Sequence, residues 1–474
     1  MKEALECHPQ ALGAVPAREP RTRPAAQGCH PSRTEEGALT RRITVFGTGY
    51  LGTAHAACLA EMGFEVLGVD IDAARIAALA AGELPFFEPG LQPLLRKGLR
   101  SGRLSFTISY SDAAAFARLH FICVGTPQQD GSYEADLSQA TRCVDTLAPL
   151  LRTPCLVVGK STVPVGTAGI FAERLAQTSP AGQDCELAWN PEFLREGHAV
   201  QDTMRPGRII AGVRSARAEA MLREVYASQI AAGTPFLVTD LATAELVKVA
   251  ANAFLATKIS FINAMAEVCE AAGADVMALS GALGHDARIG GAWLRPGLGF
   301  GGGCLPKDIR AFMARADELG AGQALSFLRE VDAINMRRRA RTVDLARELA
   351  GGSLRGQAAG VLGVAFKPGS DDIRDSPALD VAATLHGLGA VVSVYDPVAL
   401  EAARRACPEL NYAGSATEAV RDADVTLLLT EWQEFCDADP EELGKVTARR
   451  AIVDGRGALD PARWRAASWT YRTL

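Results

Sequence analysis

Several features that would point to other protein classes are missing from this chain of 474 residues. Its eleven cysteines are scattered without CxxC pairs or nearby histidine clusters, so neither a disulfide framework nor a zinc site is indicated. No uninterrupted apolar run is long enough to span a bilayer, and residues 1–42 lack the apolar core of a signal peptide. The net charge of -6, with basic residues scattered among acidic ones, gives no footprint for nucleic acid or a membrane surface. We therefore expect a cytoplasmic enzyme without a metal, a nucleic-acid partner or a membrane partner.

Aromatic residues are also scarce, at 6%, and the hydrophobic share of 48% comes mostly from Ala, Leu and Val. Such side chains suit helices packed on parallel strands. Short Val- and Ile-rich runs alternate with Ala-rich helical stretches over Ile43–Thr234, and similar runs return over Ala359–Val453. Between them, Asp240–Ala272 is a long helical stretch without Gly or Pro. This order predicts an α/β protein with two Rossmann-like parallel-sheet domains, joined by a long central helix and a helical middle domain.

The same pass along the chain predicts four segments. Residues 1–40, rich in Pro, Arg and Ala, show no periodic apolar face and are expected to form a disordered tail. A first Rossmann domain is expected over 41–235, a central helical domain over 236–340 and a second Rossmann-like domain over 341–474.

The run Gly47-Thr48-Gly49-Tyr50-Leu51-Gly52 follows the first predicted strand and opens an Ala-rich helix. A GxGxxG pattern at a strand-to-helix turn is typical of a dinucleotide site. Gly47 permits the tight turn, Gly49 lets the backbone approach the pyrophosphate, and Gly52 lets the helix pack closely on the strand. A glycine-rich turn that binds nothing is the weaker alternative in this context.

The acid at the end of the second predicted strand, Asp70, indicates which dinucleotide binds. Its carboxylate would accept hydrogen bonds from the adenosine ribose and repel a 2′-phosphate, which predicts NAD rather than NADP. Arg75 argues against this prediction, since an arginine at this position could favour NADP. With Asp70 and Asp72 beside it, a contact to the adenosine end of NAD is the favoured interpretation. Thr126 ends a later strand at the sheet edge where ligands of doubly wound folds lie.

The glycine-rich stretch Gly299–Asp308 carries the candidate nucleophile, Cys304, at the end of a glycine run and before Lys307. Backbone N–H groups and a lysine cation can stabilise a thiolate at such a position. For any other cysteine in the chain a buried packing role is favoured.

Two further pairs of polar residues have helical spacing. Lys248 and Asn252 lie four positions apart on the predicted long helix, so they share a face and can point into one cleft. Glu192 and Glu196 have the same spacing just after a predicted strand. Taken alone, the first pair could be a solvated helix face and the second could make surface ion pairs only.

Together with Lys160–Thr167, these segments resemble the UDP-glucose/GDP-mannose dehydrogenase family. The resemblance runs from Ile43 to about Leu459. It includes four more motifs in the right order, namely Glu88-Pro89-Gly90-Leu91, Asp136-Leu137-Ser138, Ala365-Phe366-Lys367-Pro368 and Val453-Asp454-Gly455-Arg456.

The resemblance implies an NAD-dependent, four-electron oxidation of UDP-glucose at C6 to UDP-glucuronate. It implies that the cysteine adds to an aldehyde to give a thiohemiacetal, that loss of a second hydride gives a thioester, and that water hydrolyses the thioester. It also implies that the C-terminal domain binds the UDP-sugar and that the enzyme is a homodimer with its interface in the central domain. UDP-N-acetylmannosamine, UDP-N-acetylglucosamine and GDP-mannose are the alternative substrates. A single-step β-hydroxyacid or 6-phosphogluconate-type dehydrogenase, or a catalytically silent nucleotide-sugar-binding protein, are the alternatives outside this activity.

The resemblance assigns roles residue by residue. The catalytic groups are Cys304, Lys248, Asn252, Asp308, Glu192 and Thr162. The expected cofactor contacts are Gly47, Gly49, Tyr50, Leu51, Gly52, Asp70, Arg75, Thr126, Thr162, Glu196, Lys307 and Arg374. The expected substrate contacts are Glu192, Phe193, Leu194, Arg195, Glu196, Lys248, Asn252, Trp293, Leu294, Arg295, Pro296, Gly297, Gly301, Lys367 and Arg456, with Arg288 reaching toward the substrate of the neighbouring subunit. The chain departs from the family at Gly303, Leu305 and Trp293, where Ser, Phe, and Phe or Tyr are common.

Overall fold

A computed structural model describes residues 41–474, so the tail expected over 1–40 lies outside the described residues. The first sheet has eight strands in the order β3-β2-β1-β4-β5-β6-β7-β8. These strands are β1 Arg42–Phe46, β2 Glu65–Val69, β3 Leu104–Thr107, β4 Leu119–Ile122, β5 Cys155–Gly159, β6 Cys185–Trp189, β7 Ile209–Gly212 and β8 Phe236–Thr239. The helices between them are α1 Tyr50–Glu61, α2 Ala73–Ala80, α3 Leu91–Arg100, α4 Tyr110–Phe116, α5 Ser138–Leu147, α6 Thr167–Thr178, α7 Ala199–Met204, α8 Ala216–Val225 and α9 Ala227–Ala231. All neighbouring strands run parallel except β6 and β7, which are antiparallel.

Small side chains bring α1 close to this sheet. Every residue from Gly52 to Ala60 in α1 is buried. A Cβ on Gly52 would lie 1.7 Å from the Gly47 carbonyl oxygen, so no side chain fits where the helix crosses the turn. The predicted reason for this glycine, close packing of helix and strand, is therefore confirmed.

The central helix, α10 Leu241–Ala272, begins at Asp240, whose side chain accepts a hydrogen bond from Thr243 N–H at 2.8 Å. It ends at Gly273, which has a left-handed backbone with φ 68°. The middle of the chain is completed by α11 Val276–Gly284, α12 Leu305–Glu318 and α13 Phe327–Leu349. The central helix packs against both α12 and α13.

Among the described residues, one helix, α10, is long and apolar enough to cross a membrane by length and composition alone. It nevertheless buries Glu245, Lys248, Asn252 and Asn263 against protein neighbours. Buried charged groups that face other protein segments are the pattern of a core helix. The expectation of a cytoplasmic enzyme stays a prediction.

The second sheet is fully parallel, with six strands in the order β11-β10-β9-β12-β13-β14. Its strands are β9 Ala358–Leu362, β10 Val391–Tyr395, β11 Asn411–Tyr412, β12 Val425–Leu428, β13 Ala451–Asp454 and β14 Thr470–Thr473. Its helices are α14 Pro377–Gly387, α15 Leu400–Ala406, α16 Ala416–Ala419, α17 Gln433–Cys436, α18 Pro440–Leu443 and α19 Pro461–Ala466. The predicted architecture of two Rossmann-like sheets around a helical middle is confirmed.

The expected domain boundaries need correction in two places. Residues 236–239 form β8, which pairs with β7, so the first domain extends past residue 235 to Thr239. The helix α13 runs across residue 340 and ends at Leu349, so the second sheet begins well after 341. The strand β8 was missed because Leu237 and Val238 are exposed at the sheet edge and show no buried alternation.

Candidate active site

The glycine turn after β1 leaves room for a phosphate group. Gly47 has φ 85°, and a Cβ there would lie 2.8 Å from the Val124 Cα. A Cβ on Gly49 would meet nothing within 4 Å, so this glycine faces open space. Gly49 is also the N-cap of α1, whose first N–H groups are unpaired within the helix. The turn therefore fits the pyrophosphate of a dinucleotide, as predicted from the sequence.

The carboxylate of Asp70 lies beside this turn, where it accepts hydrogen bonds from Thr48 N–H at 2.8 Å and Asp72 N–H at 3.1 Å. Burial alone would raise the pKa of Asp70, but these hydrogen bonds and the Arg75 guanidinium hold it below its ordinary value. Arg75 lies 3.1 Å from Asp70 and 3.5 Å from Asp72. The Arg75 guanidinium, which was expected to contact adenosine, therefore forms ion pairs with Asp70 and Asp72.

The predicted reacting groups come together from three segments. On the central helix, Lys248 and Asn252 are 4% and 7% exposed, and Asp308 in the first turns of α12 is 2% exposed. Asn252 Nδ2 donates to Asp308 Oδ2 at 2.7 Å, and Lys307 Nζ donates to Asp308 Oδ1 at 2.6 Å. The interpretation of Lys248 and Asn252 as a solvated helix face is therefore wrong. They line one buried polar cluster.

Glu192 completes this cluster from the carboxyl end of β6. Its Oε1 lies 3.1 Å from Lys248 Nζ, and its Oε2 accepts a hydrogen bond from Leu194 N–H at 2.7 Å. The second contact fixes the turn after the strand, so the carboxylate faces the central helix. The Phe193 ring centre lies 5.6 Å from the same ammonium. Burial would lower the pKa of Lys248, but Glu192, Cys304 and Asp308 outweigh it and raise the pKa, so the lysine stays charged.

Cys304 is the N-cap residue of α12, and its side chain is solvent-accessible at the edge of the cluster. The surrounding protein still withdraws enough water to raise the pKa of its thiol to about 11, and the charge of Asp308 adds to that rise. The charges of Lys248 and Lys307 lower the pKa but do not compensate. This raised pKa runs against the expectation that the position stabilises a thiolate.

Residues from the first domain face the same reacting groups across a cavity. Thr126, Thr162, Lys307 and Asp308 all line this cavity. The Thr126 hydroxyl donates to the Thr162 carbonyl oxygen at 2.7 Å, which fixes one wall. The two threonines predicted near the cofactor are thus brought beside the predicted catalytic carboxylate.

The loop before α14 closes on Glu196. The Ser370 hydroxyl and the Arg374 guanidinium lie 3.0 Å and 3.3 Å from its two carboxylate oxygens. Burial raises the pKa of Glu196 to about 7, and the nearby charge of Asp372 adds to this. A Cβ on Gly303 would lie 2.3 Å from the guanidinium carbon of Arg374. A side chain at position 303 would therefore require the Arg374 guanidinium to move.

Some expected substrate contacts lie elsewhere. The side chain of Leu294 is buried, so it packs in the interior, whereas Trp293 and Arg295 are exposed. Arg195 pairs with Asp202 at 2.8 Å, outside the reacting cluster. The Arg288 side chain is 89% exposed and pairs with its neighbour Asp286, and its contact with the neighbouring subunit stays a prediction.

Arg456, expected to contact the substrate, also makes contacts within the protein. Its guanidinium donates to the carbonyl oxygens of Gly299, Phe366 and Leu429 at 3.2, 2.9 and 2.7 Å. It thereby ties the glycine-rich loop to the second sheet. Lys367, next to Phe366, has its pKa lowered by burial, although the charges of Glu196 and Cys304 oppose this.

Two residues that support the site were missed from the sequence. Glu245 accepts hydrogen bonds from Gly166 N–H at 2.7 Å and Ala168 N–H at 2.6 Å, and Arg315 Nε donates to the Val165 carbonyl oxygen at 2.9 Å. Both hold the loop that carries Thr162. An acidic residue one helical turn before Lys248 in an apolar helix was a signal for Glu245, whereas Arg315 lies on an ordinary amphipathic helix without one.

Comparison with known proteins gives matches over most of the described residues. Three domain profiles of the UDP-glucose/GDP-mannose dehydrogenase family match, namely the NAD binding domain over 41–230, the central domain over 242–337 and the UDP binding domain over 360–461. UDP-glucose 6-dehydrogenase of Rhizobium meliloti is 40% identical over 417 residues, which are 88% of this chain and 95% of that protein. UDP-glucose 6-dehydrogenase of Pseudomonas aeruginosa is 40% identical over 447 residues, 91% of this chain and 97% of that protein. The structure of a UDP-glucose dehydrogenase from Pyrobaculum islandicum superposes with a TM-score of 0.84 at 36% identity, covering 91% of this chain and 96% of that one.

Proposed function

Because this chain belongs to the UDP-glucose/GDP-mannose dehydrogenase family, we propose that it oxidises UDP-glucose at C6 to UDP-glucuronate with NAD, through a thioester on Cys304. The observation that carries this proposal is the buried cluster of Lys248, Asn252, Asp308 and Glu192 beside that cysteine. The resemblance to UDP-glucose 6-dehydrogenases at 40% identity supports the choice of sugar nucleotide.

The residues of the cluster divide the chemistry between them. Bound NAD supplies a hydride acceptor, and two hydrides must leave C6 before an alcohol becomes an acid. The charged ammonium of Lys248 and the free amide hydrogen of Asn252 are donors for the C6 oxygen whenever that oxygen carries negative charge. Glu192, held 3.1 Å from Lys248 Nζ, is the carboxylate available to exchange protons there.

Cys304 makes the second oxidation possible. Its sulfur forms a bond to C6 of the aldehyde while the C6 oxygen gains a proton, which gives a thiohemiacetal that again carries a hydrogen on C6. Loss of that hydrogen as hydride to NAD, together with transfer of the C6 hydroxyl proton to a carboxylate of the cluster, gives a thioester. Water then adds to C6, the C–S bond breaks, and the sulfur regains a proton. Since the resting thiol has a pKa of about 11, a neighbouring carboxylate must take its proton as the bond to C6 forms.

The single-step dehydrogenases that share a Rossmann domain and a lysine on a long helix need neither this cysteine nor a second nucleotide-binding domain. This chain has both, which favours the two-step reaction. Other sugar nucleotides remain the alternative substrates. The departures at Gly303, Leu305 and Trp293 lie in or next to the segments expected to contact the sugar nucleotide.

The purified protein, assayed with UDP-glucose, UDP-N-acetylmannosamine, UDP-N-acetylglucosamine and GDP-mannose, tests the substrate. We expect NADH formation with UDP-glucose at a kcat/KM at least roughly tenfold above the others, the size of one well-made polar contact. A higher kcat/KM with another sugar nucleotide would overturn the choice of UDP-glucose. A lack of NADH formation with all four sugar nucleotides would overturn the proposed dehydrogenase activity.

We further propose that the protein is a homodimer through the central helix. Four apolar side chains, Leu246, Phe254, Phe261 and Val268, follow one another at spacings of seven or eight residues and are 37–67% exposed. This spacing puts them on one face, and an exposed apolar stripe of this kind is suited to a second copy.

The substitution Phe261→Glu places a charge in the stripe and is expected to give a monomer by size-exclusion chromatography with light scattering. Ile170→Glu, at an exposed position of α6, is the matched control and should leave the dimer intact. A monomeric unsubstituted protein would contradict the dimer.

A further inference from the structure

The motif Glu88-Pro89-Gly90-Leu91 has no part in the proposed reaction, yet Glu88 is 4% exposed. Its Oε2 accepts hydrogen bonds from the Tyr50 hydroxyl and from Gly197 N–H, the latter at 2.7 Å. Its Oε1 accepts a hydrogen bond from Ala199 N–H at 2.8 Å. A buried carboxylate is costly unless its oxygens are paired, and here each oxygen has a neutral donor.

These donors come from two segments, the start of α1 and the region after β6. Tyr50 is the first residue of α1 and directly follows the turn that fits the pyrophosphate. Gly197 lies at the end of the loop that begins after β6 and carries Glu192 and Glu196, and Ala199 is the first residue of α7. The Gly197 N–H also lies 3.0 Å from the Tyr50 hydroxyl oxygen, so it is shared between tyrosine and glutamate. One carboxylate thus ties the turn that fits the pyrophosphate to the loop that carries Glu192 and Glu196.

The segments around Glu88 are closely packed against the domain of the second sheet. Gly197 has φ 77°, and a Cβ there would lie 2.9 Å from the Gly369 carbonyl oxygen of the second sheet's domain. From the other side, Phe87 N–H donates to Asp371 Oδ2 at 3.0 Å. Burial, reinforced by the Glu88 charge, raises the pKa of Tyr50 far above its ordinary value, so the hydroxyl remains a donor. A shift of the cofactor turn must therefore move the loop at Gly197 or break these hydrogen bonds.

We propose that Glu88 is a positioning residue that makes the binding of the dinucleotide and the binding of the nucleotide sugar interdependent, through Tyr50 on one side and the 192–199 loop on the other. The proposal rests on the proposed function for the identity of the two ligands. By linkage, the factor by which one ligand tightens the other is the same in both directions. Glu88 touches neither reacting atom, so its effect is expected in this factor rather than in the chemistry.

The test uses NADH with UDP-glucose, a pair that cannot react because no hydride acceptor is present. The dissociation constant of NADH is measured by fluorescence titration with and without saturating UDP-glucose, and the ratio of the two values is the coupling factor. Tyr50→Phe removes only the hydroxyl. Glu88→Gln puts an amide donor against the backbone N–H donors of Gly197 or Ala199. Tyr471→Phe is the matched control, because it takes a tyrosine hydroxyl from another buried carboxylate, Asp454, at 2.7 Å.

For the unsubstituted protein we expect a coupling factor of roughly fivefold or more, within the usual range for linked sites. Tyr50→Phe and Glu88→Gln should each bring this factor close to one, and the double variant should go no further, since both break the same link. Tyr471→Phe should leave the factor unchanged even if it lowers the melting temperature.

A factor of one in the unsubstituted protein, or an unchanged factor in both variants, would overturn the proposal. If Glu88→Gln does not fold, Tyr50→Phe decides alone. Failure of the proposed function is seen separately, as a lack of NADH formation from UDP-glucose by the unsubstituted protein. The coupling is then measured with the nucleotide sugar that the substrate panel identifies.

Discussion

The Lys248 ammonium and the Glu192 carboxylate lie 3.1 Å apart with side chains only 5% and 12% exposed, and they join the central helix to the loop after β6. A buried ion pair is weak evidence for stability, because the desolvation of both charges offsets their attraction. The pair is better explained by the reaction, which needs a charged donor for the C6 oxygen and a carboxylate beside it.

Lys248→Met is therefore expected to lower kcat by roughly 10²–10³, the usual effect of removing one donor to a developing oxyanion. Lys258→Met is the matched control on the same helix, because within residues 41–474 the Lys258 ammonium donates to the carbonyl oxygens of Ile289 and Gly290 and not to the reacting cluster. Steady-state NADH formation measures both variants. A kcat for Lys248→Met within threefold of the control would show that the ammonium does not serve the reaction.

The raised pKa of Cys304, about 11, predicts slow alkylation of this exposed thiol at neutral pH. The rate with iodoacetamide should rise close to tenfold for each pH unit between 7 and 9, because only the thiolate reacts. Lys248→Met should slow the reaction further, since the lysine charge lowers the pKa of that thiol. Peptide mapping by mass spectrometry follows the site. A rate that is flat across this range would mean that the cysteine is already a thiolate.

Glu245 should make the protein less stable as the pH rises. Burial raises its pKa to about 7, so between about pH 4.5 and 7 the unfolded chain has released a proton that the folded chain still holds. Stability then falls as the pH rises through this window, by about 3 kcal/mol at most at about 1.4 kcal/mol per pKa unit.

Glu245→Gln cannot ionise. Its free energy of unfolding, minus that of the unsubstituted protein, should therefore increase from pH 5 to pH 8, so that the variant becomes relatively more stable. Urea unfolding at the two pH values measures the difference. Glu224→Gln, at an exposed position, controls for the loss of one charge. An equal difference for Glu245→Gln at pH 5 and pH 8 is the result that would count against a raised pKa.

Asp70 is expected to set the preference for NAD. Asp70→Asn keeps an acceptor for Thr48 N–H, loses the charge that repels a 2′-phosphate, and releases Arg75 from its 3.1 Å ion pair. The ratio of kcat/KM for NAD to that for NADP should fall roughly ten- to hundredfold, the value of a hydrogen bond to a charged group. Adding Arg75→Ala should remove most of the gain with NADP. Equal use of both cofactors by the unsubstituted protein would contradict the role of Asp70.

The sequence predicted those parts of the site that depend on local pattern. The glycine turn, the acid at the end of β2, and the shared face of Lys248 and Asn252 all follow from spacing along one element. The edge strand of the first sheet, β8, was not predicted, because it is short and its Leu237 and Val238 are exposed.

Contacts between segments that are distant in the sequence could not be predicted from the sequence pattern. The guanidinium of Arg456 binds the carbonyl oxygens of Phe366 and Gly299, which are 90 and 157 residues away, and these contacts were not predicted. Backbone carbonyl oxygens carry no sequence signal, so no motif records such a contact. The raised pKa of the Cys304 thiol was not predicted for a similar reason, since it depends on the protein groups packed around the sulfur and on the charge of Asp308 in the folded protein.

The number of NADH molecules formed for each UDP-glucose consumed tests the two-step oxidation through Cys304 most directly. The unsubstituted protein is incubated with limiting UDP-glucose and excess NAD until the absorbance at the NADH band is constant. Since the thiohemiacetal lets a second hydride leave C6 before the product is released, we predict a ratio of two and no free aldehyde. A ratio of one would contradict the account, because the reaction would then stop after a single hydride and the cysteine would have no covalent part in it.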